Sequence, residues 1–128
     1  MARILFADDN LQLRAIMAEA FSDAGHTFVE AADGRQAITL LGKQTFDVVV
    51  TDVLMPEADG TEVMQVLRRL APRPFLVVIS GGGQIDPERY LAMAKALGAD
   101  QVLRKPFPPS VLLAAIDRLL AARPTQPG

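Results

Sequence analysis

The chain has 128 residues and a formal net charge of −2; half of them are apolar and 22% charged, the balance of one globular domain and not of a disordered segment. It contains no cysteine and one histidine, which excludes disulfides and thiol catalysis and leaves too few ligands for a usual zinc site. The slightly acidic balance argues against direct nucleic-acid binding, and with no signal-peptide pattern and no apolar run near the roughly 20 residues of a membrane helix, a soluble protein of the cytoplasm without a membrane partner is expected.

Short apolar runs alternate with longer helical patterns five times, which predicts a parallel sheet with right-handed crossovers and helices on both faces, a (βα)5 arrangement of the α/β class. The first strand is expected at Arg3 to Ala7. A helix follows from near Leu11 to Ala24, with Leu13, Met17, Ala20 and Ala24 inward and Gly25 at its end. The second strand is placed at Thr27 to Ala31. Asp33 then reads as an N-cap with Gln36 three residues on, ahead of a helix carrying Ala37, Ile38 and Leu41.

The third strand, Asp47 to Thr51, is continuously apolar through its valines, as a strand covered on both faces should be. Asp59 and Glu62 form a second capping-box pattern, for a helix with Val63, Val66, Leu67 and Leu70 that Pro72 and Pro74 stop. The fourth strand is expected at Phe75 to Ile79. After Gly81-Gly82-Gly83, Asp86-Pro87 open a helix that ends near Leu97-Gly98. The fifth strand spans Gln101 to Leu103. Pro108-Pro109-Ser110 open a last helix to about Ala122, with Leu112, Ile116 and Leu119 inward, and the tail 123–128 is expected to be disordered.

Polar groups stand at the ends of four of these strands: Asp8-Asp9, Asp52, Ser80 and Lys105-Pro106. In an open α/β sheet, ligands bind beyond the carboxyl ends of the strands, so these groups converge on one spot if the strands are neighbours. Two carboxylates 4 Å apart repel by roughly 4 kcal/mol at a surface-like effective dielectric, so three of them either raise their own pKa values or recruit a cation. An all-oxygen set suits Mg²⁺, with Asp9 and Asp52 as direct ligands and Asp8 acting through water. A carboxylate beside a metal can attack phosphorus and form an acyl phosphate. Ser80 can hydrogen-bond a phosphoryl oxygen. Lys105, its backbone restricted by Pro106, can aim its ammonium at that group or at Asp52. Taken one by one, each has a plainer account: Asp8 and Asp9 as helix caps, Asp52 as a loop cap, Ser80 as a turn serine, Lys105 as a solvated charge. The shared position at strand ends favours a site.

These residues resemble the receiver domain of two-component response regulators, over about Arg3 to Ala122. The likeness is carried by Ala7-Asp8-Asp9-Asn10, by Thr51-Asp52-Val53-Leu54-Met55-Pro56 with Gly60, by Ser80-Gly81 and by Lys105-Pro106-Phe107. It implies a flavodoxin-like doubly wound sheet of order 2-1-3-4-5 and one receiver domain over residues 1–122. It also implies a phosphorylation switch, with Asp52 as the acceptor of a phosphoryl group from a histidine kinase or phosphotransfer protein. Asp8 and Asp9 would organise Mg²⁺ with the Leu54 backbone carbonyl as a further ligand, Ser80 and Lys105 would contact the phosphoryl group, and Lys105-Pro106 would be cis. Such a protein catalyses only its own phosphorylation and dephosphorylation, acts through a downstream protein, and is a monomer or weak dimer. Two positions depart from the pattern: Val102 stands where the family has an aromatic residue, and Gly81 where alanine is common.

A Mg²⁺-dependent phosphohydrolase with an aspartyl-phosphate intermediate is the competing enzyme class, but it would want an aspartate at the position of Leu54. A flavin module would want a hydroxyl-rich loop where Asp8-Asp9-Asn10 stand. Gly81-Gly82-Gly83 lack the Gly-Lys-Ser/Thr of a nucleotide loop. His26 is expected to be a solvated surface residue. Leu11, Ala15, Ala18 and Ser22 form an outer stripe on the first helix, the kinase-facing side in the family. The last helix is apolar over much of its circumference and could meet another chain.

Overall fold

Runs of valine, isoleucine and leucine crowd both faces of an extended backbone and form strands that need cover on each side. The computed structural model describes residues 2–52, 60–70, 73–80, 88, 92, 95 and 98–122. Its strands are β1 (Arg3–Ala7), β2 (Thr27–Ala31), β3 (Val48–Asp52), β4 (Phe75–Ser80) and β5 (Gln101–Arg104); its helices are α1 (Leu11–Asp23), α2 (Gly34–Leu41), α3 (Gly60–Leu67) and α4 (Pro109–Ala122). Glu88, Ala92 and Lys95, between β4 and β5, are also helical; the rest of the helix expected there lies outside the described residues, as do Asp59, Pro72 and the tail 123–128.

All strand pairs are parallel and the sheet order is β2-β1-β3-β4-β5. Side chains alternate between the two faces, so each strand feeds two cores. Ile4, Phe6, Val48, Val50, Val77 and Ile79 pack with Met17 and Phe21 of α1 and with Leu112, Ile116 and Leu119 of α4. Leu5, Ala7, Val49, Leu76 and Val78 face Ala37 and Leu41 of α2 and Val63 and Leu67 of α3. Val102 is half-buried against this second core.

Several elements differ from their sequence reading. β3 begins at Val48 and ends with Asp52, which pairs with Ile79. Asp47 instead stays outside the strand and accepts the Arg3 N–H through Oδ2 at 2.8 Å. In α1 the deep residues are Met17 and Phe21, with the Phe21 ring edge-on to Phe6 at 5.8 Å. Ala24 is the exposed C-cap, because the helix ends at Asp23 and Gly25 turns the chain away with φ 83°. That turn brings His26 against Ala2 and Asp117 instead of into solvent. Only 6% of its side chain is accessible, Nδ1 accepts the Ala2 N–H at 3.0 Å, and Nε2 lies 3.9 Å from Asp117. Asp33 caps α2 as expected, with Gln36 N–H donating to Asp33 Oδ1 at 2.8 Å, but the return bond reaches one residue further back than in a capping box. The return bond, also 2.8 Å, runs from Ala32 N–H to Gln36 Oε1.

Candidate functional site

Strand register sets the depth of every group at the carboxyl edge. Ala7 pairs with Thr51, so Asp8 and Asp52 leave β1 and β3 side by side. Ser80 pairs with Arg104, which puts Lys105 just past the end of β4's last residue. The Ser80 side chain is outside the described residues, as are Leu54 and the glycines after Ser80.

The sequence-predicted carboxylates do converge. Asp8, Asp9 and Asp52 each bring one oxygen within 4.8 Å of the others. Asp8 is fully buried, Asp52 nearly so, and Asp9 is exposed. Lys105 reaches both buried carboxylates: its Nζ lies 2.8 Å from Asp8 Oδ2 and donates to Asp52 Oδ2 at 2.9 Å. Burial of the ammonium opposes its charge, but the hydrogen bonds and charges of Asp8 and Asp52 outweigh this and raise its pKa above the ordinary lysine value. The Lys105-Pro106 peptide is cis.

Helix capping falls to neither aspartate. Asn10 caps α1, accepting the Leu13 N–H at 3.0 Å, while Asp8 Oδ1 accepts the Asn10 N–H at 2.8 Å. Asp8 Oδ2 is thus left to the Lys105 ammonium at 2.8 Å, and among the described residues no other donor meets it. A buried carboxylate oxygen whose described partner is a single ammonium, in a set of three carboxylates, fits a small hard cation such as Mg²⁺.

Arg14 also belongs to this neighbourhood, although its sequence position gave no sign of it. Its Nη1 donates to the Asp8 carbonyl at 3.2 Å and its Nε lies 3.5 Å from Glu30 Oε1 on β2. Only the pairing of β1 with β2 brings Glu30 within reach, and a contact set by strand register leaves no local spacing to read.

A five-stranded parallel sheet of order 2-1-3-4-5 with an acidic pocket and a lysine at its carboxyl edge defines the chemotaxis-regulator-like class of flavodoxin fold. The chain belongs to the response regulator receiver domain family, whose model matches residues 4–117. It is 37% identical over 118 residues to a probable transcriptional regulator, ycf27, of Cyanophora paradoxa, covering 92% of this chain and 48% of that protein. It is 33% identical over 120 residues to the transcriptional regulatory protein CpxR of Escherichia coli, covering 94% of this chain and 50% of the relative. The chain therefore spans about half the length of these curated relatives. Among solved structures, the chemotaxis response regulator CheY4 of Vibrio cholerae superposes with a TM-score of 0.81 at 34% identity, covering 93% of this chain and 98% of that one. The receiver domain of Francisella response regulator 1452 gives 0.83 at 26%, covering 94% and 98%. Among the described residues no helix is long and apolar enough to cross a membrane.

Proposed function

We propose that this receiver is a phosphorylation switch in which Asp52 accepts a phosphoryl group, with residues 1–122 forming the switching domain. The observation that carries this reading is the placement of the Asp52 carboxylate at the buried end of the central strand. There it lies 2.9 Å from the Lys105 ammonium and within 4.8 Å of the Asp8 and Asp9 carboxylates.

A carboxylate oxygen of Asp52 attacks phosphorus; the new O–P bond forms as the P–N bond of a phosphohistidine donor breaks, and the electron pair leaves with the imidazole. Asp8, Asp9 and Asp52 are the side chains that would hold Mg²⁺, with the Leu54 carbonyl proposed beside them. The ion when bound supplies neutralisation of phosphoryl charge. Lys105 keeps its proton throughout the neutral range, so it can exchange its contact with Asp52 for one with a phosphoryl oxygen. Ser80, at the end of β4, is assigned the hydroxyl contact. Phosphorylation adds nearly two negative charges and three acceptor oxygens where a lysine now bridges two carboxylates, so those contacts must rearrange. A histidine kinase or phosphotransfer protein is the donor and a downstream protein reads the result. No external substrate is turned over.

Incubation with a small phosphodonor and Mg²⁺, followed by intact-mass measurement, tests this reading. Wild type should gain one phosphoryl group and Asp52→Asn none. An equal adduct on the variant, or no adduct on wild type, would overturn the assignment, and multiple turnover of phosphoesters would point to the phosphohydrolase class.

A further inference from the structure

The residue Asp8 is held from three directions. Its N–H donates to the Ala31 carbonyl of β2 at 3.1 Å, its Oδ1 accepts from Asn10 N–H, and its own carbonyl accepts from Arg14. The last of these contacts reaches furthest. A peptide group is planar, so fixing the Asp8 carbonyl also fixes the N–H and Cα of Asp9. Asp9 is the exposed member of the carboxylate trio, and its side chain has no burial to hold it in place.

The guanidinium that does this is itself constrained. Only 13% of the Arg14 side chain is accessible, and its Nε faces the Glu30 carboxylate at 3.5 Å while Nη1 serves the Asp8 carbonyl. Arg14 therefore links α1 to the Asp8-Asp9 peptide by a hydrogen bond and faces Glu30 of β2 through a longer charge contact, both from one planar, permanently charged group. A lysine has no comparable fork and could not hold both ends in fixed directions.

We propose that Arg14 is a positioning residue for the divalent-cation site, setting the Asp8-Asp9 peptide so that Asp9 can reach the cation together with Asp52. This rests on the reading that Asp8, Asp9 and Asp52 bind such a cation. Coulomb's law alone predicts the opposite sign for its removal: a positive charge taken away from beside a cation site should tighten cation binding. A positioning role predicts weaker binding, because the Asp9 ligand must then be ordered at the moment of binding.

The test is calorimetric titration of metal-free protein with Mg²⁺, for wild type, Arg14→Met and Arg14→Lys, well below each variant's unfolding midpoint. Arg14→Met should bind Mg²⁺ about tenfold more weakly than wild type. Arg14→Lys keeps the charge, so it should also bind more weakly if the fork is what matters, and it serves should the methionine variant fail to fold. The Asp9 and Asn10 amide resonances should shift in metal-free Arg14→Lys. Unchanged or tighter Mg²⁺ binding in both variants overturns the proposal, as do unmoved amide resonances. If wild type itself takes up no Mg²⁺, the cation site is what fails, and the first titration alone reveals it.

Discussion

Ala7 of β1 stands level with Thr51 of β3, and this single register pairing places the next residues, Asp8 and Asp52, beside one another under one lysine. Two like charges that the fold forces together are tolerable only with a counter-charge, and in the metal-free protein Lys105 supplies it.

Removing that counter-charge should therefore destabilise the metal-free protein. Lys105→Met removes the ammonium that Asp8 Oδ2 and Asp52 Oδ2 share, at a cost of about 1–3 kcal/mol. Urea unfolding in EDTA should show the loss, and Mg²⁺ should narrow it by neutralising the same oxygens. A deficit of the same size with and without Mg²⁺ would contradict this account.

The same ion pair has a pH signature. Asp8 and Asp52 raise the Lys105 pKa above its unfolded value, so its stabilising contribution is complete below the ordinary lysine value of 10.5 and disappears as pH rises through the folded value. The stability gap between wild type and Lys105→Met should be flat from neutral pH towards that value and shrink above it. A gap that closes between pH 6 and 8 would assign it to another group.

Asp9 should trade binding against stability. In the metal-free protein it adds a third carboxylate to a crowded pocket, and Asp9→Asn should raise stability by up to about 1 kcal/mol. Its Mg²⁺ affinity should fall by about tenfold or more, since even residues that only orient metal ligands have effects of that size. Paired denaturation and calorimetry would show both changes. A variant that binds Mg²⁺ as well as wild type would remove Asp9 from the ligand set.

On α1, Leu11 is 69% exposed, one residue past Asn10 and beside the acidic pocket. Leu11→Ser should alter stability by no more than about 0.5 kcal/mol. Phosphotransfer from a protein donor should slow by about tenfold, equivalent to 1.4 kcal/mol of lost contact, while labelling by a small phosphodonor stays unchanged. Equal slowing with both donors would place Leu11 in the chemistry and not in docking.

The strands were legible because valine- and isoleucine-rich runs bounded by polar residues leave little choice of structure, and the carboxylate trio was legible because those runs end in acids. What escaped depended on contacts between distant segments. Helical spacing proposed Ala24 for the core. The glycine turn ended α1 before it, and the larger Phe21 filled the space against Phe6. His26 is polar and follows a glycine, which suggests solvent. It is buried because the Ala2 N–H at the start of the sheet needs an acceptor. At the end of β3 an acid reads as loop, and only pairing with Ile79 extends the ladder to Asp52. Nothing in the sequence around Arg14 marks it, because its partners lie just past β1 and on β2.

All five residues of β3 are buried, and the strand is clamped between β1 and β4. It is the anvil of the domain and gives little under a new load at its tip. β5, by contrast, is a short, half-exposed border strand with a neighbour on one side only, and Lys105 hangs directly from its end. Force applied at Asp52 thus has a stiff side and a compliant side, and the compliant rim is where the outline of the domain yields first.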